Sequence, residues 1–167
     1  MGQVGLVRTS GFWGNLIRIV TRPNHGTTHI VVHLGGNLVA TFAAGAEPGG
    51  LRIRDARHYK GTIWSTFPLT VEQRRSIAAY MTREEGRPYD YFGDFCVGMC
   101  RLLGTRIPNW LIRYLERDNR WQCASIAAVA YRRVGFNFFP DAANVAVVPA
   151  DWEPVVLASR TNLGGVR

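Results

Sequence analysis

The chain has 167 residues, of which 47% are apolar and 19% are charged. A chain of this size can bury a core without disulfide or metal support, so we expect a single domain over residues 1–167. No apolar run approaches the roughly 20 residues needed to cross a bilayer, which excludes a transmembrane protein.

The first residues lack a basic stretch followed by an apolar core, so the sequence gives no signal for export. We therefore expect a cytoplasmic protein, or a phage-encoded one that is delivered without a signal peptide. The net charge of +8 comes almost wholly from arginine, because Lys60 is the only lysine. The arginines are scattered and match no nucleic-acid motif, which predicts a solvated basic surface and no specific nucleic-acid partner.

Strands are predicted in the first third of the chain. The residues that form them are β-branched and apolar, and a Gly-Gly-Asn turn between two of the segments indicates a hairpin. Helical spacing is found in one intervening segment, at residues 12–20. The predicted strands are residues 4–7, 28–34, 38–42, 51–54 and 61–67.

Helices are predicted in the middle of the chain. Thr70 is a plausible N-cap for a helix that runs to about residue 85, and Gly86 and Pro88 end it. Further helices are expected at residues 92–103, 110–116 and 122–134, and short edge strands at 145–148 and 155–157. The pattern predicts an α+β fold in which an antiparallel sheet packs against helices lying mainly on one side.

Three histidines, at positions 25, 29 and 33, are spaced by four residues. In a strand, that step is about 13 Å, so adjacent histidines cannot share one metal ion. The cysteines lack the paired spacing of a zinc site, and Cys96 and Cys100 are interpreted as small buried hydrophobic residues. No metal or cofactor is therefore expected.

One cysteine and one histidine have a chemically suggestive setting. Cys123 lies in the first turn of a predicted helix, and His29 opens an apolar strand. A helix N-terminus and a nearby imidazolium both lower the pKa of a thiol, which is how sulfur nucleophiles are activated. This setting predicts a Cys123 thiolate that is populated near neutral pH, although either residue alone is more often structural.

Several segments in order resemble the circularly permuted NlpC-type papain-like family, which includes relatives of YiiX and YaeF and, more distantly, the lecithin:retinol acyltransferase group. The likeness covers nearly the whole chain. It rests on the leading strand, the histidine strand, a Gly-x-x-Tyr-Asp turn, the nucleophile helix and a Pro-x-Asp segment, at residues 2–8, 28–35, 86–90, 122–125 and 149–152.

The resemblance implies a permuted papain-like fold in which Cys123 attacks an acyl carbon to form a thioester and His29 is the general base. Tyr89 matches the tyrosine near the nucleophile, where it orients the site or is simply structural. Thr41 occupies the position of the residue that orients the imidazole, where relatives place a stronger partner. The site is then a Cys-His dyad, a weak triad, or one completed by Glu47.

Three functions remain open. The first is an amidase or peptidase that hydrolyses an amide or ester bond, for example in a cell-wall peptide such as those of peptidoglycan. The second is a lipid acyltransferase or thioesterase, for which the basic, amphipathic residues 106–117 are a possible membrane contact. The third is a binding module that kept the fold without catalysis, an option that burial of Cys123 would favour.

Overall fold

The computed structural model describes residues 1–9, 24–43, 50–117, 122–140 and 146–161, together with positions 15, 18 and 19. Over this part of the chain it contains five strands and five helices in an α+β arrangement. Positions 15, 18 and 19 are helical. The rest of the helix predicted at residues 12–20 lies outside the described residues, as does Glu47.

The strands form one antiparallel sheet in the order β4-β3-β2-β1-β5. The predicted hairpin joins β2 to β3, and Gly36 in its turn has a φ of 53°, a conformation that glycine adopts without strain. The strands are β1 (Val4–Val7), β2 (His29–Gly35), β3 (Leu38–Ala43), β4 (Gly50–Asp55) and β5 (Ile63–Trp64).

The helices are α1 (Val71–Arg83), α2 (Tyr91–Leu102), α3 (Asn109–Arg117), α4 (Cys123–Arg132) and α5 (Pro149–Thr161). Thr70 caps α1 as the sequence predicts, because its hydroxyl accepts the Gln73 N–H and the Gln73 side chain accepts the Thr70 N–H. Within the described part of the chain, no helix has the length and apolar character that crossing a bilayer requires.

The two faces of the sheet have different neighbours. Alternate residues of β2, such as Ile30 and Val32, belong to the main core, which also contains buried side chains of α1, α4 and α5. Val31 points to the other face and packs with residues of β1 and β3. The expected arrangement, an antiparallel sheet with helices on one side, is therefore found.

A second, smaller core lies between α2 and α3. It consists of Val97, Leu111, Leu115 and Val148, with the half-buried Cys96 at its edge. Cys96 and Cys100 are both half-buried, so the prediction that they are buried was wrong.

Two further sequence predictions differ from the structure near the C-terminus. Residues 155–157 were expected to form an edge strand but lie inside helix α5, and residues 146–148 are not a strand. Pro149 suits the first turn of a helix, and the Asp151 carboxylate accepts the Val148 N–H at 2.9 Å. These start signals outweigh the β-branched composition. The predicted strand at 61–67 is reduced to the two residues of β5.

Candidate active site

Cys123 is the first residue of α4, and its side chain is buried with 5% of its surface exposed. Ser125 holds the start of this helix together. Its hydroxyl accepts the Gln122 N–H at 3.1 Å and donates to the Gln122 carbonyl at 3.0 Å. The sulfur therefore lies at a fixed helix N-terminus, where the backbone N–H groups of Cys123 and Ala124 favour its thiolate form.

The sulfur also contacts strand β2. Cys123 and Ile30 belong to the same core, and the backbone N–H of Ile30 favours the thiolate in the same way. The ladder between β2 and β3 begins with Val31 opposite Thr41, so Ile30 lies just before it.

His29 is held by its neighbour on β3. Its Nε2 atom is 2.5 Å from the Thr41 hydroxyl, and the Thr41 side chain is 1% exposed. The His29 ring also stacks on Tyr59 at a centroid distance of 6.5 Å. The structure therefore brings together the histidine and the threonine that the resemblance pairs.

His29 and Cys123 approach the start of β2 from different sides. Strand alternation places His29 with Val31 and Thr41 on the face away from the helices, whereas Ile30 packs with Cys123 in the main core. Among the described residues, no hydrogen bond or charge interaction joins the His29 ring to the Cys123 sulfur. The structure therefore brings His29 to Thr41 but does not bring it to Cys123.

Tyr89 lies in the turn before α2 and is hydrogen-bonded to the carboxylate of Asp94, which the sequence analysis did not identify. Its hydroxyl donates a hydrogen bond to Asp94, and its ring packs against Phe42 at 5.2 Å between centroids. The Asp94 charge acts on Cys123, whose pKa it helps to raise. Asp94 stands five residues after Tyr89, in the first turn of α2, and that spacing is the only signal the sequence offers.

The pKa values of the site describe a ground state in which the Cys123 thiol and the His29 ring are both uncharged. Burial, followed by the Asp94 charge, raises the pKa of Cys123 to about 12. Burial lowers the pKa of His29 to about 4 and raises that of Asp94 to about 7. The prediction of a thiolate populated near neutral pH was therefore wrong, because burial outweighs the three backbone N–H groups.

Other polar residues near the site have separate roles. The Oε1 atom of Gln122 is buried and has no hydrogen-bond partner among the described residues. His33 is bound to the carbonyl of Gly36 at 3.0 Å, and the His25 backbone N–H donates to Glu153. Within the described ranges, no group of three or more histidine, cysteine or acidic residues is placed to hold a metal ion.

No protein-family model matches this chain, and no curated protein matches it closely enough to count as a relative. The likeness to the permuted papain-like family therefore rests on the sequence motifs alone.

Proposed function

We propose that the protein is a cysteine-nucleophile hydrolase of permuted papain-like design, in which Cys123 attacks an acyl carbon and His29 takes the thiol proton. One observation carries the proposal. Cys123 is the first residue of α4 and packs with Ile30 of β2, and the preceding residue, His29, has its Nε2 atom bonded to Thr41. A cysteine at a helix start and a histidine with an orienting hydroxyl, both at the start of β2, support a sulfur nucleophile and its base.

The hydrogen bond to Thr41 selects the tautomer of the His29 ring. When Nε2 carries the proton and donates it to the Thr41 hydroxyl, the lone pair of Nδ1 remains available to accept the thiol proton. The lowered pKa of His29 keeps the ring neutral at pH 7, as a general base must be. Thr41 orients the ring but cannot balance an imidazolium charge as a carboxylate does, which predicts a slow enzyme.

The first step follows from the uncharged ground state. His29 and Cys123 lie on different faces of β2, so the mechanism requires the His29 ring to turn toward the sulfur. The proton then moves from sulfur to Nδ1 of His29 as the sulfur–carbon bond forms, because a free thiolate is disfavoured before attack. The carbonyl oxygen then becomes an oxyanion, which the backbone N–H of Cys123 at the helix start stabilises. His29 returns its proton to the leaving amine or alcohol, and a thioester remains on Cys123.

Water completes the cycle. His29 accepts a proton from water while the oxygen attacks the thioester carbon, and the thiol leaves with the proton that His29 gives back. The products are a carboxylic acid and the free enzyme.

An amide substrate, such as a cell-wall peptide, is favoured by Gln122. Its buried Oε1 atom needs a hydrogen-bond donor and lies one residue before the nucleophile. Buried acceptors in native proteins are almost always paired, so an unpaired one adjacent to Cys123 in the sequence suits a substrate N–H. The scissile bond of an ester has no N–H to donate.

A non-catalytic binding module is the second candidate, and the burial of Cys123 favours it. A thiol that is 5% exposed with a pKa of about 12 behaves as an inert core cysteine in the free protein. Under this alternative, Thr41 and His29 form a structural pair.

Turnover of defined substrates separates these functions. The protein is incubated with peptidoglycan fragments and, separately, with acyl lipids, and both products and any acyl-enzyme are measured by mass spectrometry. We expect cleavage of an amide by the wild type and by a Cys100→Ala control, and its loss in Cys123→Ala and His29→Ala. Cleavage that survives in Cys123→Ala contradicts the mechanism. Equal binding of a fragment by wild type and Cys123→Ala, without cleavage, identifies a binding module.

A further inference from the structure

Helices α2 and α3 present large apolar side chains to solvent. Phe95 is 61% exposed, and Leu103 and Trp110 are each 67% exposed. Phe92 and Tyr114 are also exposed, and their rings meet edge to face at 5.9 Å, which links the two helices. We call these five residues the α2–α3 face.

This surface is not needed for the packing of α3. Leu111 and Leu115 of the same helix point inward and are buried in the second core. The sequence groups Trp110 and Tyr114 with these two leucines in one amphipathic segment, and in the structure the leucines are buried whereas Trp110 and Tyr114 are exposed. A helix that already buries its leucines gains no packing from an exposed tryptophan, so the outer residues are free to bind a partner.

Arginines accompany the aromatic side chains. Arg106 and Arg113 are exposed, and neither has an acidic ion-pair partner among the described residues. Arg101 is different, because it is paired with Asp151 at 2.7 Å. Asp94, the acidic residue in the first turn of α2, is bonded to Tyr89 in the site. The face therefore combines exposed apolar groups with exposed arginines.

We propose that the α2–α3 face docks on the surface of an anionic lipid bilayer. Tryptophan and tyrosine suit the boundary between headgroups and acyl chains, because each has an apolar ring and a polar end. Arginine binds phosphate headgroups with its planar fork. A protein partner fits less well, because the centre of a protein interface is depleted in charge, whereas here arginines lie among the aromatic residues.

The face also adjoins the candidate site. The ring of Tyr91, at the start of α2, lies 4.8 Å from that of Tyr89, which is bonded to Asp94 beside Cys123. Docking would bring the Tyr89 side of the site close to the lipid. Binding itself does not need Cys123, so this inference goes beyond the proposed function and does not depend on it.

Vesicle sedimentation tests the proposal. The protein is mixed with vesicles of phosphatidylglycerol and phosphatidylcholine in equal parts, or of phosphatidylcholine alone, and the bound fraction is measured. We expect stronger binding to the anionic vesicles, with each arginine contributing roughly fivefold. Phe95→Ser combined with Trp110→Ser should lower binding at least about tenfold, since two exposed aromatic groups are lost. Arg106→Gln combined with Arg113→Gln should abolish the preference for anionic vesicles.

Matched controls use exposed residues of α1, which is not part of the face. Val71→Ser and Arg75→Gln remove an apolar and a basic side chain there and should leave binding unchanged. Thermal unfolding verifies that each variant is folded. Cys123→Ser should bind as the wild type does, so a failed mechanism and a failed docking surface are distinguishable.

Three results would overturn the proposal. The first is wild-type binding to anionic vesicles no stronger than to phosphatidylcholine. The second is equal binding by the face variants and the α1 controls. The third is a dimer in solution that only the Phe95 and Trp110 substitutions dissociate, without vesicle binding, which would make the face a contact between copies of the chain.

Discussion

At the scale of single residues, the charge of Asp94 disfavours the thiolate form of Cys123. The carboxylate of Asp94 has a pKa raised to about 7 by burial, so its charge changes near neutral pH. Its charged form raises the pKa of Cys123, whereas its protonated form does not. The reactivity of the thiol is therefore coupled to a residue that has no place in the sequence motifs.

Replacing this carboxylate should activate the thiol. Asp94→Asn keeps an acceptor for the Tyr89 hydroxyl but removes the negative charge, so the pKa of Cys123 should fall. In a background of Cys96→Ser and Cys100→Ser, iodoacetamide at pH 8 should label Cys123 roughly three- to tenfold faster, which corresponds to about half to one pKa unit. Asp151→Asn is the control, because Asp151 pairs with Arg101. Unchanged labelling in Asp94→Asn would contradict the coupling.

The half-buried imidazole of His29 should make stability depend on pH. Burial lowers the pKa of His29 from 6.5 to about 4, so between these values the unfolded chain binds the proton and the folded chain does not. Stability should therefore fall as the pH drops from 6.5 to 4, by up to about 3 kcal/mol from this residue. Urea unfolding measures the effect.

The matching variant for this measurement is His29→Asn. Its stability should fall less between pH 6.5 and 4, because the residue that takes up the proton is absent. His33→Asn, in the same strand, should keep it because His29 is still present. Parallel pH profiles for the wild type and His29→Asn would show that His29 is not protected from protonation.

Some features of the candidate site could be predicted from the sequence and others could not. The resemblance pairs Thr41 with His29, and the two are in contact across the β2–β3 hairpin. Asp94 and the raised pKa of Cys123 could not be predicted. They depend on which groups are buried by packing between distant segments, and neither composition nor spacing predicts that burial.

At the scale of elements, helix α5 holds the loop that leads into β2. Both oxygens of the buried Glu153 accept backbone N–H groups, from His25 and Thr27, at 3.0 Å each. Burial raises the pKa of Glu153, but these hydrogen bonds lower it more, so the net pKa falls below its usual value. The stabilisation is present above pH 4.5 and is lost as the pH falls below it.

Removing one of these acceptors should destabilise the protein. Glu153→Gln places an NH₂ group against a backbone N–H, so the free energy of unfolding should fall by about 1–3 kcal/mol. Glu72→Gln, at an exposed position of α1, should change it by less than about 0.5 kcal/mol. Urea denaturation at pH 7 gives both values. Equal effects at the two positions would mean that Glu153 does not anchor the loop.

Local signals explain which elements were predictable. The cap at Thr70 and the glycine at position 86 define α1 without knowledge of its neighbours. Residues 155–157 carry no such signal themselves, because the start signals of their helix lie at Pro149 and Asp151. Their β-branched composition favours a strand, yet Val156 is buried in the main core as part of a helix. Tertiary packing overrides local propensity there.

At the scale of the whole molecule, the described residues have two separate cores on the helical side. The larger joins the sheet to α1, α4 and α5, and the smaller joins α2 to α3. The α2–α3 face and Asp94 belong to the helices of the smaller core. The membrane contact and the carboxylate that acts on Cys123 are thus both built on the less extensively packed part of the fold, which is expected to open more readily.

Truncating one buried aliphatic side chain in each core tests this division. Leu115→Ala should cost about 2–5 kcal/mol locally, because it leaves a cavity between α2 and α3, and hydrogen exchange should increase in those helices while β1 to β4 stay protected. Ile126→Ala removes a buried side chain of α4 from the main core and should increase exchange throughout the protein. If Leu115→Ala also speeds exchange in the sheet, the two cores unfold together. The docking face would then share the full stability of the domain.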